Sequence, residues 1–421
     1  MIDLKYIRQN PEQIQQAIIN KNEKADLAAL LALDESRRKL QYDFDTHKAE
    51  QNRMSGVIAT KKRNKEDASK ELSEMSLVAE KIKQLQAELS QQNAELDSLL
   101  LRIPNVPESD VPIGNDESFN EIIRHEGELK KWDFEPQDHL QLAQANGLID
   151  FMRGAKISGS GFPVYSALGA RLERALINFM LEYHQQKHGY SELMVPLMVN
   201  RKAMTGTGQL PKLEDDMYRC NEDDLFLIPT AEVPVTNYYM DEVLSYKDLP
   251  LLHVAYSPCF RREAGSYGKE TRGLKRLHQF NKVEMVRFCL PEDSPRHLEE
   301  MLDNAEAILK AFGLHYRVLK LATGDLSFAS QKTYDLEVWA PGSKEYLEVS
   351  SVSNFGEFQA RRANIRYRDA AGKMQFPHTL NGSGVATPRL MIAILESYQN
   401  ADGSIQIPDV LKPWLELRIN K

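Results

Sequence analysis

Residues 75–103, MSLVAEKIKQLQAELSQQNAELDSLLLRI, carry the heptad pattern that decides the fold of the N-terminal part of the chain. Apolar residues recur at every seventh position, and a second set fills the position between them with one polar exception. The first set is Met75, Ile82, Leu89, Leu96 and Ile103, and the second is Val78, Leu85, Gln92 and Leu99. This alternation of three and four residues is typical of a coiled-coil seam.

The same alternation continues upstream of this stretch, as far as Leu33. Between the two seams lies a polar stretch, 62–70 (KRNKEDASK), that can turn the chain. Two seams that face each other across a turn predict an antiparallel helical hairpin, in which Phe44 lies near Leu89. Each helix would contain about 30 residues and be roughly 45 Å long.

The sequence leaves the role of this hairpin open between a dimerisation rod and a surface that binds RNA. Basic residues near the turn favour RNA, but acidic residues dilute them. The basic residues are Lys48, Arg53, Lys61, Lys62, Arg63, Lys65 and Lys70.

A proline-rich stretch, 104–112 (PNVPESDVP), predicts a stiff linker and a domain boundary, which divides the chain into residues 1–105 and 106–421. Beyond it, apolar runs read as strands and longer periodic segments read as helices. The strands are expected at 225–228, 282–289 and 346–350, and the helices at 166–187, 294–312 and 388–399. Strands clustered between a few helices, without a regular βαβ alternation, predict an α+β domain around an antiparallel sheet flanked by helices.

Composition excludes several classes of protein. The chain of 421 residues has a formal net charge of -8, so a nucleic-acid partner must be bound by a local basic surface. Its three cysteines include no CxxC pair, which argues against a disulfide framework and leads us to expect no zinc. The N-terminus lacks the apolar region of a signal peptide, so we expect a cytoplasmic protein.

The two common nucleotide-binding motifs are absent from the sequence. The glycine-rich stretch 265–273 (GSYGKETRG) is not a P-loop, because Glu270 follows the Gly-Lys pair. Gly206 and Gly208 begin a GxG pattern, but Pro211 stands where the dinucleotide-binding fingerprint needs its third glycine.

The segment 260–263 (FRRE) places Arg261 beside an apolar residue, in a region that reads as a strand. A guanidinium on a rigid strand can bridge two anionic groups. Glu263, two residues on, would share its face and could accept a hydrogen bond from an exocyclic amine. An ordinary surface ion pair is the alternative interpretation.

A second motif, 381–389 (NGSGVATPR), reads as a strand that runs into a helix. Its alternating glycines would let another group approach the backbone, Thr387 would cap the helix, and Arg389 would lie in the first turn. A third element is a helix at 168–187 followed by 189–196 (GYSELMVP), which reads as an edge strand ending in Pro196.

In chain order, the element ending at Pro196 resembles motif 1 of the class II aminoacyl-tRNA synthetases, 260–263 resembles motif 2, and 382–389 resembles motif 3. Alanine and proline replace the usual third glycine and acidic residue of motif 3, but its arginine is kept. The whole chain is similar to the bacterial type of seryl-tRNA synthetase. This resemblance rests on the hairpin and on further segments: 229–232 (PTAE), 278–284 (HQFNKVE), 348–351 (EVSS) and 381–384 (NGSG).

The resemblance implies a set of site residues. It implies catalytic roles for Arg261, Glu263 and Arg389. It implies that serine is bound by Thr230, Ala231, Glu232, Glu284 and Ser383. It implies that ATP is bound by Arg261, Arg262, Glu263, Leu277, Phe280, Glu348, Val349, Ser350, Ser351 and Arg389. It further implies that Glu348 and Ser351 hold Mg²⁺.

The resemblance also implies partners: L-serine, ATP, tRNA(Ser), tRNA(Sec) and a second copy of the chain in a homodimer. Two alternative functions remain. An amino acid:carrier-protein ligase sharing the catalytic fold would lack the hairpin, which argues against it. A non-catalytic RNA-binding paralogue is disfavoured because Arg261, Glu263 and Arg389 are all present.

Overall fold

The computed structural model describes residues 1–264 and 273–415. The predictions made for the glycine-rich stretch therefore lie outside the described residues, except at Gly273. Contacts divide the chain into two compact units. We call residues 2–19 and 23–104 the helical unit; the sheet unit holds Met1, residues 20–22 and the chain from Asn105 onward.

The helical unit is dominated by a long antiparallel hairpin, as the heptads predicted. Its helices are α1 Leu4–Gln9, α2 Pro11–Asn20, α3 Leu27–Arg63 and α4 Ser69–Leu100. The turn occupies 64–68, and the long helices have 37 and 32 residues. Three contacts between α3 and α4 fix the antiparallel pairing: Lys61 to Glu71 at 2.5 Å, Ser55 to Met75 at 3.6 Å, and Gln92 to Ser36 at 3.2 Å.

The predicted seam is the least exposed face of each long helix. Met54 and Ile58 are buried on α3, and Ile82, Leu85 and Leu89 are buried on α4. The polar seam residue of α4, Gln92, stays partly exposed and donates to Ser36 across the hairpin. The seam therefore buries apolar area in the way that knobs-into-holes packing requires.

The sheet unit is built from short and long elements in mixed order. Its helices are α5 His139–Ala145, α6 Phe151–Ser158, α7 Leu168–His188, α8 Arg201–Thr207, α9 Glu232–Thr236, α10 Ser294–Ala311, α11 Phe358–Arg362, α12 Thr387–Ser397 and α13 Lys412–Leu415. Its strands are β1 Glu121–Glu126, β2 Ile149–Asp150, β3 Val164–Tyr165, β4 Ser191–Glu192, β5 Met198–Asn200, β6 Arg219–Cys220, β7 Leu225–Leu227, β8 Val243–Ser245, β9 Leu251–Phe260, β10 Gln279–Cys289, β11 Tyr316–Lys320, β12 Lys332–Ala340, β13 Glu345–Asn354, β14 Arg366–Arg368, β15 Met374–Gln375 and β16 His378–Ala386.

An eight-stranded sheet forms the centre of this unit, in the order β1-β11-β12-β13-β16-β10-β9-β4. All neighbours are antiparallel except β4, which pairs in parallel with β9 at the sheet edge. This confirms the predicted α+β class and the edge position of the third motif. The strand itself covers only Ser191–Glu192, so the prediction that it ends at Pro196 is wrong.

Helices α7, α10 and α12 contribute buried residues to the main core beside the central strands. The glycines of β16 belong to this packing. A Cβ at Gly382 would lie 3.0 Å from Val352 and one at Gly384 would lie 2.5 Å from the His184 ring. The expectation that these glycines let another group approach the backbone is therefore confirmed, and the approaching groups are the side chains of Val352 and His184.

In the part of the chain that the structure describes, no helix combines the length and apolarity needed to span a bilayer.

Candidate active site

The register of the central strands gathers most of the predicted site residues. Glu284 on β10 lies opposite Ser383 on β16 and opposite Ala255 on β9. A cavity of about 350 Å³ opens at this place, a volume in the usual range for small-molecule sites. The predicted residues that line it are Thr230, Glu232, Arg261, Glu263, Leu277, Phe280, Glu284, Glu348, Val349, Ser351, Ser383 and Arg389.

Three of the predicted residues do not line this cavity. Ala231 packs fully buried with apolar neighbours in a separate cluster. Ser350 is buried behind the wall, where its hydroxyl donates to the Ser383 carbonyl at 2.6 Å. Arg262 is exposed, and its backbone N–H donates to the Asp216 carbonyl at 2.9 Å. The motifs placed these residues near the site, but Ser350 on β13 and Arg262 beyond the end of β9 direct their side chains elsewhere, and Ala231 packs into the core just before α9.

Arg261 lies just beyond the end of a strand, and its guanidinium is only lightly held by the protein. Strand β9 ends at Phe260, and Glu263 has a φ of 52°, so the expectation that both residues share a strand face is wrong. The Arg261 Cζ lies 5.1 Å from the centre of the Phe280 ring, and its Nε donates to the Pro229 carbonyl at 3.4 Å. Within residues 1–264 and 273–415 this is its one side-chain hydrogen bond, and Arg261 lines the cavity.

Glu263 reaches the cavity through its left-handed backbone conformation instead. Its carboxylate pairs with Arg276 at 2.5 Å. The side chain is 17% exposed, so the pair is partly shielded from solvent.

Arg389 occupies the first turn of α12, as predicted, and crosses to β13. Its guanidinium donates to the Glu348 carbonyl at 2.8 Å, to the Glu348 carboxylate at 3.1 Å and to the Lys275 carbonyl at 3.2 Å. Burial pushes the pKa of Glu348 upward, but the Arg389 charge and hydrogen bond outweigh it and hold this pKa below its usual range. Glu348 is therefore an ionised carboxylate at neutral pH.

Thr387 does not cap α12 with its side chain, contrary to the prediction. The helix begins at Thr387, and no side chain caps it. The Thr387 hydroxyl is instead buried and donates to Glu173, and it contacts the Asn281 carbonyl at 3.1 Å. The hydroxyl thereby ties the start of α12 to α7 and β10.

The deepest part of the cavity carries two carboxylates and a lysine. Lys282 and Glu284, which alternate onto one face of β10, pair at 2.5 Å and are 9% and 2% exposed. Glu232, at the start of α9, accepts a hydrogen bond from Gln359 at 2.6 Å. Burial, and next the Glu284 carboxylate, raise the pKa of Glu232 to about 7.

Sequence reasoning missed several residues that line the cavity: Lys275, Arg276, Lys282, Ser327, Phe328, Ala329, Ser353 and Asn381. Lys282 and Asn381 could have been found, because each lies two residues from a predicted site residue on the same strand. The loop 327–330 carried no such signal. It is held by the buried ammonium of Lys21, which donates to the carbonyls of Ser327 at 2.8 Å, Phe328 at 3.3 Å and Ser330 at 2.6 Å.

The donors available for a metal ion are limited. Within residues 1–264 and 273–415, no group of three or more His, Cys, Asp or Glu side chains could hold a metal by itself. Glu348 and Ser351 line the same cavity and offer hard oxygens, which suit Mg²⁺ when substrate phosphates supply further ligands. The residues present therefore fit a magnesium ion that arrives with a nucleotide, not a metal caged by protein alone.

Comparisons with known proteins agree with this geometry. The family model described as "tRNA synthetase class II core domain (G, H, P, S and T)" matches residues 212–398, and the "Seryl-tRNA synthetase N-terminal domain" matches residues 1–107. The chain is 51% identical over 421 residues to the serine–tRNA ligase of Caldicellulosiruptor saccharolyticus, with all of both chains covered. It is 48% identical over 416 residues to that of Syntrophotalea carbinolica, covering 99% of this chain and 98% of the relative.

A solved structure extends the likeness to the fold. The seryl-tRNA synthetase from Pyrococcus horikoshii complexed with ATP superposes with a TM-score of 0.92 at 36% identity, covering 98% of each chain. With such identity over its whole length, the chain belongs to the seryl-tRNA synthetase family, the serine–tRNA ligases built on a class II core.

Proposed function

We propose that this chain activates L-serine with ATP to give seryl-adenylate and pyrophosphate, and then transfers the seryl group to the 3′ end of tRNA(Ser). One observation carries the proposal. Arg261, Arg389 and the carboxylates Glu232 and Glu284 all line a single cavity, so cationic and anionic groups face one bound pair of substrates.

In the first step the serine carboxylate attacks the α-phosphate of ATP, and two anions must approach each other. Arg261 would bridge them, because it lines the cavity and its guanidinium makes, among the residues that the structure describes, one long hydrogen bond of 3.4 Å to the Pro229 carbonyl. A planar guanidinium can donate to two anionic groups at once. Rate enhancement would then come from positioning and from fixed positive charge.

The nucleotide end of the cavity is assigned to Glu263, Phe280 and Arg389. The Phe280 ring is the apolar surface on which adenine would stack, and the Arg389 guanidinium would cover the opposite face. Glu263 would accept a hydrogen bond from the adenine amine once its pairing with Arg276 loosens. The relative from Pyrococcus horikoshii, solved with ATP, supports a nucleotide site in this fold.

The serine end is assigned to Thr230, Glu232, Glu284 and Ser383. A carboxylate would bind the substrate ammonium, and another polar group would bind its hydroxyl. A site built to bond a hydroxyl rejects the analogue that lacks it, here alanine, by roughly 10⁴ to 10⁵ without editing. Threonine would have to be excluded by size.

Magnesium would be held by Glu348 and Ser351 together with the ATP phosphates. When bound, it would neutralise phosphate charge. The Arg389 guanidinium keeps Glu348 ionised, so this carboxylate is ready to act as an oxygen ligand.

The helical hairpin, residues 1–105 in the division proposed from sequence, is assigned to tRNA recognition. A long helix pair suits the shape and backbone of double-stranded RNA, whose base edges are poorly accessible. We further propose that the protein forms a homodimer and acts in the cytoplasm. We also propose that it charges tRNA(Sec) with serine.

The test separates the two steps. Residues 45–88 would be replaced by a short glycine-serine turn, which shortens both long helices by similar lengths. We expect serine-dependent ATP–pyrophosphate exchange to persist in this variant and charging of tRNA(Ser) to fall at least 100-fold. Equal loss of both activities in a folded variant would contradict the division of labour. Activity toward a carrier protein, or no exchange by the full chain, would favour one of the alternative functions.

A further inference from the structure

Gln359 lies outside the cavity, directly behind one of its carboxylates. It belongs to α11 and is 1% exposed. Its Nε2 donates to the Glu232 carboxylate at 2.6 Å and to the Thr207 carbonyl at 3.2 Å. Its Oε1 accepts from the Thr379 hydroxyl at 2.8 Å.

These contacts allow only one orientation of the Gln359 amide. The Glu232 carboxylate and the Thr207 carbonyl are acceptors, so the amide nitrogen must face them. The Thr379 hydroxyl, fully buried on β16, donates to the amide oxygen and holds it on the opposite side. Rotation of the amide by 180° would place its oxygen against two acceptors and leave buried groups unpaired, which is costly.

We propose that Gln359, oriented by Thr379, is a positioning residue that aims the Glu232 carboxylate at the ammonium of serine and holds it ready to bind. The inference rests on the serine-binding role proposed for Glu232. It adds a specificity device that lies outside the cavity wall and outside the motifs found in the sequence. The same amide also holds the carbonyl of Thr207, so two residues of the cavity wall depend on it.

The charges around Glu232 show why a neutral donor is needed there. Glu284 and Lys282 on β10 and Arg261 after β9 are the charged groups that act on this carboxylate. Burial and Glu284 raise its pKa, whereas the Gln359 hydrogen bond, Lys282 and Arg261 lower it. Because Lys282 is already paired with Glu284, Gln359 is the donor that contacts Glu232 directly.

The test uses the full chain and three substitutions: Gln359→Leu, Thr379→Val and, as the matched control, Thr379→Ser. Steady-state exchange is measured with serine and with ATP varied in turn, between pH 6 and 9. Gln359→Leu should raise KM for serine roughly 10- to 100-fold at neutral pH, the range expected when a charged group loses one hydrogen bond. KM for ATP should stay within about twofold, and the acidic fall of kcat/KM for serine should move to higher pH.

Thr379→Val should produce the same pattern to a smaller degree, because it removes one of the three contacts that orient the amide but keeps the amide itself. Thr379→Ser keeps the hydroxyl, so its KM for serine should be close to that of the unsubstituted chain. Parallel changes in both KM values, or a loss of activity with an unshifted pH profile, would show a merely structural role and overturn the inference.

A fourth variant, Glu232→Gln, separates this inference from the function on which it rests. If Glu232→Gln leaves KM for serine unchanged, the proposed role of Glu232 itself is wrong. If Glu232→Gln raises KM for serine but Gln359→Leu and Thr379→Val leave it unchanged, only the positioning inference is overturned.

Discussion

Replacement of Arg261 by alanine should stop adenylate formation with little effect on folding. The side chain makes a hydrogen bond of 3.4 Å to the Pro229 carbonyl and a contact of 5.1 Å with the Phe280 ring. Both are weak, so we expect the free energy of unfolding to change by less than about 1 kcal/mol. Loss of one preorganised donor to developing charge should instead lower kcat of serine-dependent exchange by about 10² to 10³, or roughly 2.7 to 4 kcal/mol of barrier.

The neighbouring arginine provides the control for this experiment. Arg262 is exposed and does not line the cavity, so Arg262→Ala removes the same charge one residue away. Exchange of labelled pyrophosphate into ATP would be measured for both variants, with thermal melting to establish that they are folded. The reasoning is refuted if Arg261→Ala retains more than about a third of the activity, or if Arg262→Ala loses as much.

Three further predictions concern charge and packing. We propose that Glu232 binds the serine ammonium as a carboxylate, and its pKa is raised to about 7. The value of kcat/KM for serine should therefore fall about tenfold per pH unit below pH 7 in the full chain, and Glu232→Gln should flatten this profile. Lys21→Met should lower the free energy of unfolding by about 3 kcal/mol in urea titrations, because the carbonyls of 327–330 lose a buried ammonium donor, and an unchanged midpoint would contradict this. Gly384→Ala should lower the free energy of unfolding by about 1 to 3 kcal/mol, because the added Cβ would lie 2.5 Å from the buried Nε2 of His184. Its matched control, Gly56→Ala, adds a Cβ in open space on α3 and should raise the free energy of unfolding by about 0.5 to 1 kcal/mol.

The hairpin could be predicted from sequence because its stabilising pattern is local and periodic. Every apolar heptad position faces the partner helix, so Met54 and Leu89 could be assigned to the buried seam without any knowledge of the rest of the chain. The residues of the catalytic motifs were found for a related reason. They are contiguous in sequence, and a resemblance can be carried over residue by residue.

Features that depend on distant contacts could not be predicted in this way. Gln359 and Thr379 act on Glu232 from elements far along the chain, and nothing in their local sequence marks them. The face of Glu263 was predicted wrongly because its left-handed φ breaks strand alternation, which a residue pattern does not reveal. The close approach at Gly384 was expected, but the sequence could not identify the approaching group as His184, a residue 200 positions away in the chain.

The most direct measurement is a crystal structure of the full chain with a non-hydrolysable analogue of seryl-adenylate. The Arg261 guanidinium should donate to both the seryl carbonyl and the phosphate-like group, with the analogue's ammonium against Glu232 or Glu284. An analogue bound in the cavity with the Arg261 side chain turned away from both halves, or bound elsewhere on the chain, would contradict the assignment of this cavity as the site of serine activation.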